Sequence, residues 1–380
     1  MLQESLLRQL ININSVFPDE REVAELLEDL LTERGFEVER QYLTPERFNL
    51  IAQIGQGERT VMYYAHMDTV PAYTGWQREP FELSSDAKNF YGRGVADMKG
   101  GIAAFLSAFD EVRDNLNHRV IFVLGVDEEN ISAGADLFVG QTNLNPDLII
   151  SLEGDALTEV WPHPVILTWG RRGRAAYEVR VPGISAHGAT LSQGVNAISQ
   201  AAILIRELYQ MDMPSHPNLP AASQYIRSIS ADAGSLSIPD EVTLMIDRHL
   251  VPPETSESVL AELRDFCLGL YDNGALHQSL RDQFSLELMV RETPYLEPFV
   301  TDIELGLSQQ VLEIVSARHG QIPAHYGSSV ADENVFANHF ACPVICVGPA
   351  GGNFHGADEW VGRENLEAVT RTYADFLRQL

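Results

Sequence analysis

Hydrophobic residues recur along the chain in two patterns, the spacing of amphipathic helices and the short unbroken runs of buried strands. In the second helical segment, leucines recur at helical spacing until Gly35, where the pattern ends. The predicted helices cover residues 2–12, 19–34, 99–115, 195–211, 255–271 and 303–319, and a closing helix carries Leu366, Val369, Tyr373 and Phe376 on one face. The predicted strands cover residues 36–42, 48–54, 60–65, 119–126, 147–152, 175–181, 242–251 and 343–348.

The order of these elements divides the chain into two predicted domains. Apolar strands alternate with helices at both ends of the chain, which is typical of an α/β fold with a mainly parallel sheet and helices on both faces. The middle of the chain has half-exposed strands and helices in an α+β pattern. We therefore expect a first domain of residues 1–169 and 292–380, interrupted by a smaller α+β domain of residues 170–291.

Composition narrows the classes of partner. Apolar residues make up 45% of the 380 positions, which is enough for a sizeable core, and the net charge is −28. Because nucleic acids and anionic membranes are bound by basic surfaces, neither is expected as a partner. The sequence has no apolar run of about 18 residues or more, so no membrane-spanning helix is expected. Its N-terminal residues lack the basic region and cleavage site of a signal peptide, which predicts a cytoplasmic location.

The three cysteines, Cys267, Cys342 and Cys346, form no CxxC motif. An odd number without that motif favours neither a disulfide framework nor a thiolate zinc site. Any metal ion would then be held by histidine and carboxylate side chains.

Histidine and acidic residues cluster after the ends of four predicted buried strands. They are His66 with Asp68, Glu128 with Glu129, Glu153, and His355. Ligands of open α/β sheets bind at the carboxyl ends of the strands, so these four clusters can converge on one crevice. Any one of them alone would be an ordinary turn or surface residue.

Two local patterns indicate chemical roles for these residues. Side chains two positions apart in an extended chain point the same way, so Asp68 can accept the second ring N–H of His66 and orient it as a metal ligand. Adjacent carboxylates at Glu128 and Glu129 are costly near a buried position unless a cation compensates them. One could bind a metal while the other acts as base, although a solvated acidic loop would also explain the pair.

Five segments, in this order, resemble the zinc aminoacylase and carboxypeptidase family, which includes acetylornithine deacetylase and succinyl-diaminopimelate desuccinylase. They are YYAHMDTVP, FYGRGVADMKGG, GVDEEN, SLEGD and GGNFHGADEWV, and the resemblance extends over essentially the whole chain. It implies an enzyme that hydrolyses an amide bond with a hydroxide that bridges two divalent metal ions, expected to be zinc, with cobalt or manganese as alternatives.

The resemblance also assigns roles within the site. It implies that His66 and Glu153 bind one metal ion, that Glu129 and His355 bind the other, and that Asp97 bridges them. Asp155 is an alternative to Glu153. The family often has a cis peptide bond after the bridging aspartate, here Asp97–Met98.

Catalytic roles follow in the same way. The resemblance makes Glu128 the catalytic base and Asp68 the residue that orients His66. The motif GISAHGATLSQGVNAI resembles the family's lid, which identifies residues 170–291 as a lid and dimerisation domain. It implies that His187 reaches across a homodimer interface and stabilises the oxyanion.

The candidate substrate residues depart from the family pattern. Relatives commonly place an arginine two positions after the lid aspartate, where this chain has Arg248 followed by His249, and another after a later aspartate, where it has Asn334. Since an arginine fork binds a carboxylate in a way that histidine and asparagine do not copy, the substrate is less well defined than the reaction. A small N-acyl amino acid is expected. The alternatives are a carboxypeptidase or dipeptidase acting on short peptides and, in another class, an inactive metal-stabilised scaffold.

Overall fold

The computed structural model describes residues 2–155, 161–234 and 236–380. The chain forms two compact units: unit 1 comprises Met1–Arg171, Val300–Gly327 and Ala331–Leu380, and unit 2 comprises Arg172–Phe299 and Ser328–Val330. The helices are α1 (Leu2–Ile11), α2 (Arg21–Glu33), α3 (Lys99–Val112), α4 (Ala133–Gln141), α5 (Ala197–Leu208), α6 (Ser256–Asp272), α7 (Gly306–His319), α8 (Asp332–His339) and α9 (Arg363–Gln379).

The strands are short, as the apolar runs predict. They are β1 (Glu37–Tyr42), β2 (Phe48–Ile54), β3 (Thr60–His66), β4 (Ser84–Ser85), β5 (Asn89–Tyr91), β6 (Arg119–Gly125), β7 (Leu148–Ser151), β8 (Val165–Arg171), β9 (Gly173–Pro182), β10 (Ser223–Ser230), β11 (Glu241–Leu250), β12 (Ser285–Leu288), β13 (Phe299–Val300), β14 (His325–Gly327), β15 (Val344–Pro349), β16 (Gly351–Gly352) and β17 (Trp360–Gly362).

A large mixed sheet organises unit 1. Its strand order is β1-β2-β6-β3-β7-β15-β8-β13, with β14 beside β8. The central strands β6, β3, β7 and β15 are parallel neighbours. They are buried runs such as Val61–Ala65, as expected for strands covered on both faces. The predicted α/β fold with a mainly parallel sheet is confirmed.

Helices cover both faces of this sheet, which the side chains of β3 show directly. Tyr63 contacts Phe105 of α3 with ring centroids 4.7 Å apart, and Tyr64 contacts Phe336 of α8 at 4.6 Å. Because successive side chains of a strand point to opposite faces, α3 and α8 lie on opposite sides of the sheet.

A second, small sheet in unit 1 joins distant parts of the chain. It has the order β16-β17-β5-β4, and Trp360 of β17 pairs with Tyr91 of β5. β5 leads into residues 92–97, here called the Asp97 loop, and β16 and β17 flank the loop that carries His355. This sheet therefore places Asp97 and His355 side by side.

Unit 2 has its own sheet and core. The antiparallel order is β10-β11-β9-β12, and α5 and α6 pack on it around residues such as Leu204, Leu244 and Leu263. The first segment of unit 1 ends at Arg171, where the sequence predicted residue 169, because β8 continues to Arg171 in the large sheet. Residues 328–330 also group with unit 2, where the Arg172 Nε donates to the Ser328 carbonyl at 2.8 Å.

Several elements were absent from the sequence prediction. β10 has mostly exposed residues on both sides, so its sequence lacks the alternation that marks a strand. α4 and α8 have nine and eight residues, too few for a clear helical period. The helix predicted to reach residue 115 ends at Val112 and is followed by a 3₁₀ turn. Among the described helices, none combines the length and hydrophobicity needed to cross a membrane.

Candidate metal centre

Asp97 lies between two histidines in unit 1. The His66 Nε2 atom is 3.0 Å from one carboxylate oxygen of Asp97, and the His355 Nε2 atom is 3.2 Å from the other. The Asp97–Met98 peptide bond is cis, as the family resemblance implied. Two ring nitrogens that face opposite oxygens of one carboxylate form the donor arrangement of a bridged pair of cations.

His66 is oriented by the residues that follow β3. Its Nδ1 atom is 3.0 Å from the main-chain oxygen of Asp68 and 3.6 Å from the Asp68 carboxylate. That carboxylate instead accepts the backbone N–H groups of Glu128, at 3.3 Å, and Glu129, at 3.0 Å. β3 ends at His66, and both the main-chain oxygen and the carboxylate of Asp68 lie near Nδ1 of His66, so the orienting role of the Asp68 side chain stays a prediction.

Glu128 and Glu129 follow β6 and complete two groups of possible ligands. One group consists of Asp97, Glu129 and His355, and the other of His66, Glu128 and Glu129, each with donor atoms within 4.8 Å of one another. The His355 Nε2 atom lies 3.0 Å from the Glu129 carboxylate. The first group contains the residues predicted for one metal ion together with the predicted bridge.

Glu153 lies beside this centre in a separate cluster of charges. Arg171 is within 3.3 Å of Glu153, 3.5 Å of Asp155 and 3.1 Å of Glu333. We call these four residues the Arg171 cluster. Glu153 is absent from the two ligand groups above, which place Glu128 next to His66 instead. Asp155, the alternative to Glu153, has further contacts with His325 at 3.2 Å and Thr168 at 3.4 Å, and its ligand role stays untested.

The pKa shifts of the buried carboxylates indicate that the centre accommodates a cation. Burial, opposed by His66 and reinforced by Glu129, raises the pKa of Glu128 well above its usual range. Burial, opposed by Arg171, likewise raises the pKa of Glu153, and Asp97 contributes to that rise. Carboxylates that raise one another's pKa values in a buried site are stabilised by a shared cation.

The histidines show the complementary effect. Hydrogen bonds to Asp97 and Glu129 raise the pKa of His355 to about 10. Burial alone would raise the pKa of Asp97, but the hydrogen bonds from His355 and His66 hold it below its usual range. Each imidazole thus faces carboxylates where a cation would be favoured, and the donor set of nitrogen and oxygen atoms fits divalent ions such as zinc.

The predicted substrate residues have partners of their own within the protein. The Arg248 guanidinium is buried in unit 2 and paired with Glu254 and Glu262, so a substrate carboxylate would have to compete with both. The next residue, His249, is half-buried, and burial together with Arg172 lowers its pKa to about 4. The side-chain oxygen of Asn334 accepts the Ala331 N–H at 3.0 Å and caps α8.

His187 is exposed in unit 2. Its Nδ1 atom accepts the backbone N–H of Ala189 at 3.1 Å, which leaves Nε2 as the nitrogen available to a ligand. Its catalytic role remains a prediction.

The sequence patterns did not identify several charged residues that lie next to the candidate ligands. Arg171 ends the apolar run of β8, and Glu359 and Arg93 lie inside two of the motifs quoted above. The signal that could have identified these residues is a single charged side chain within an apolar or glycine-rich segment. The Arg93–Glu359 and Arg171–Glu333 pairs join residues that are far apart along the chain, so these pairings could not be read from one sequence.

Comparison with known proteins gives the family context. The profile of peptidase family M20/M25/M40 matches residues 62–379. Acetylornithine deacetylase of Pectobacterium carotovorum is 37% identical over 168 residues, which is 43% of this chain and 42% of that enzyme. The enzyme of the same name from Photorhabdus laumondii is 33% identical over 202 residues, 52% of this chain and 50% of that enzyme. The chain thus spans about half the length of the curated relatives it matches, or less.

Solved structures share the fold across the whole chain. Aminopeptidase PepT from Bacillus cereus superimposes with a TM-score of 0.78 at 18% identity, covering 99% of this chain and 96% of its own. The metallo-carboxypeptidase Sso-CP2 from Sulfolobus solfataricus gives a TM-score of 0.75 at 18% identity, covering 99% and 98%. At this identity the likeness concerns the fold.

Proposed function

We propose that this chain, which belongs to peptidase family M20/M25/M40, is a metal-dependent hydrolase that cleaves the amide bond of a small N-acyl amino acid. The observation that carries the proposal is the position of Asp97 between the Nε2 atoms of His66 and His355. Glu128 and Glu129 stand at the same point, so ligands and a candidate base share one site.

Five residues would hold two divalent ions: His66, Asp97, Glu129, Glu153 and His355. Such ions, when bound, supply an activated water and polarise the substrate carbonyl. Glu128 accepts the proton of the attacking water at its carboxylate and returns it to the leaving amine nitrogen. Zinc is the proposed metal, with cobalt and manganese as alternatives, and the cytoplasmic location stays a prediction from the sequence.

Replacement of Glu128 tests this division of labour. Glu128→Ala should retain its metal ions but lose about 10²–10⁴-fold in kcat, the usual contribution of a general base. Glu367→Ala, which alters an exposed glutamate paired with Arg371, is the control and should behave as wild type. Metal content by mass spectrometry and hydrolysis rates provide the two readouts. A Glu128→Ala variant of near-normal activity would overturn the assignment of the base.

The substrate class is decided by an assay panel. N-acetyl and N-succinyl amino acids should be hydrolysed faster than dipeptides. The reverse order would favour a metallo-carboxypeptidase or dipeptidase, a possibility supported by the peptidases of the same fold. A metal-loaded protein that hydrolyses neither class would instead be an inactive scaffold.

We also propose a homodimer formed through unit 2. β10 is an edge strand of its sheet, and Tyr225 and Ile229 on it are 43% and 54% exposed. Ile198 of α5 is 48% exposed, and the Tyr209 hydroxyl lies 3.3 Å from the Ile226 backbone nitrogen, so the end of α5 lies beside β10. An apolar edge of this kind is a surface for pairing with a second copy. In such a dimer His187 would donate a hydrogen bond to the oxyanion of the other subunit's substrate.

A further inference from the structure

A buried carboxylate behind the metal centre binds the backbone of the Asp97 loop. Glu359 is fully buried, and one of its carboxylate oxygens accepts the backbone N–H groups of Ala96, at 2.8 Å, and Asp97, at 3.1 Å. The other oxygen accepts the backbone N–H of Gly94 at 3.0 Å and the Arg93 guanidinium at 2.7 Å. Both oxygens of Glu359 are thus used to hold one short loop.

Arg93 extends these contacts to the loop that carries His355. Its guanidinium is buried and also donates to the main-chain oxygen of Gly356 at 3.0 Å. Glu359 contributes its own main-chain oxygen, which accepts the Gly92 N–H at 3.1 Å. Two hydrogen bonds therefore join the loops that supply Asp97 and His355: one from the Arg93 guanidinium to the Gly356 main-chain oxygen, and one from the Gly92 N–H to the Glu359 main-chain oxygen.

The loop must adopt a special backbone to make these bonds. Gly94 has a φ of +81°, and a Cβ atom there would lie 2.8 Å from the Thr69 side chain. Glycine is needed because other residues are strained in this conformation and would also clash. The three N–H groups then point to one place, where they bind an anion.

We propose that Glu359 is a positioning residue that fixes the separation of Asp97 and His355, and so sets how tightly the site binds its metal ions. This inference rests on the proposed metal-dependent function. Arg93 neutralises Glu359, so the pair adds no net charge to the site. Its effect is geometric: the Asp97 backbone nitrogen is held by Glu359 while the Asp97 carboxylate faces His66 and His355.

Glu359→Gln is the main test, since it keeps the size of the side chain. An amide presents one N–H₂ group, which must face either two peptide N–H groups or Gly94 and Arg93, so donors meet donors. We expect metal binding to weaken by about 10–100-fold, the range for supporting residues of metal ligands. Titration with Co²⁺ measures the affinity, and the visible spectrum of bound Co²⁺ reports the ligand geometry, which should change.

Two further variants separate positioning from general stability. Glu359→Asp keeps the charge and the partner Arg93 but is one methylene shorter, so it should also bind Co²⁺ more weakly, and it provides a second test should Glu359→Gln fail to fold. Glu297→Gln is the matched control, because Glu297 also accepts a backbone N–H, that of Ser256 in unit 2, at 3.0 Å. It should lower the melting temperature and leave the Co²⁺ affinity and spectrum unchanged.

The outcomes distinguish this inference from the proposed function. Wild-type Co²⁺ affinity and spectrum in folded Glu359→Gln or Glu359→Asp would overturn the positioning role. A wild-type protein that binds Co²⁺ but hydrolyses no acyl substrate or peptide would overturn the proposed function. The difference in Co²⁺ binding between wild type and Glu359→Gln would still decide the role of Glu359.

Discussion

The Asp97 loop and the Arg171 cluster hold candidate ligands on two sides of the same centre, but in opposite ways. Behind the Asp97 loop, one arginine faces one glutamate, and three backbone N–H groups complete the carboxylate's hydrogen bonds. In the Arg171 cluster, one buried guanidinium faces three carboxylates. The first arrangement fixes a geometry without excess charge. The second leaves negative charge that a bound cation would offset.

The largest expected effect is on metal content, which should differ between variants of Asp97 and of Glu153. Asp97→Asn should lose both metal ions and more than the roughly 100-fold in kcat/KM that removal of a supporting group costs, because Asp97 faces both histidines. Glu153→Gln should lose one metal ion and retain the other at Glu129 and His355. Metal analysis after dialysis measures both. Equal metal content in the two variants would show that the two sides do not differ in this way.

A buried histidine outside both regions shows how burial changes the pKa of a histidine that contacts a tyrosine hydroxyl instead of a carboxylate. His118 is fully buried 3.4 Å from the Tyr63 hydroxyl, and burial, with a smaller effect of Arg59, lowers its pKa from 6.5 to about 4. The unfolded chain therefore binds a proton below pH 6.5 while the folded protein does not. Stability from this group is complete above pH 6.5 and falls by about 3 kcal/mol as the pH drops to 4.

The variant His118→Phe should remove this part of the pH dependence. Urea unfolding of wild type and variant at pH 7 and at pH 4.5 measures the change in slope. Parallel pH profiles for the two proteins would contradict the assignment to His118, whatever their difference in absolute stability.

The prediction with the smallest expected effect concerns the excess negative charge of the Arg171 cluster. Glu333→Gln keeps the size of the side chain and removes one of three carboxylates. The free energy of unfolding of the metal-free protein should rise by about 1 kcal/mol, because an uncompensated buried charge is lost. Urea unfolding in the presence of a chelator measures it. A decrease of about 3 kcal/mol or more, the cost of breaking a matched buried pair, would make this cluster resemble the Arg93–Glu359 pair instead.

The sequence predicted the fold, and it predicted that candidate ligands gather at one edge of the sheet, because both depend on local patterns. Buried runs such as Val61–Ala65 mark central strands, and the residues at their ends, His66 among them, share one edge of the sheet. The assignment of Glu128 as base and Asp97 as bridge came from family resemblance, and geometry places these residues together without testing their roles.

What the sequence could not supply is pairing over long distances. Arg93 and Glu359 are 266 positions apart, and no local pattern connects them. Arg248 is a second example: its position in the sequence suggested a substrate contact, which stays a prediction, but the sequence did not show that it is buried beside Glu254 and Glu262. A charged residue acquires its role from its neighbours in space, and a single sequence does not show those neighbours.

The small sheet that pairs β5 with β17 has a consequence for how the protein is made. Translation delivers the Asp97 loop to the folding chain long before residues 351–362 leave the ribosome. Until then Arg93 and the N–H groups of the loop lack Glu359, and Asp97 lacks His355. Closing so large a separation comes late in folding, since its entropic cost must be met before the contacts form. The candidate metal centre therefore forms only after residues 351–362 have been synthesised.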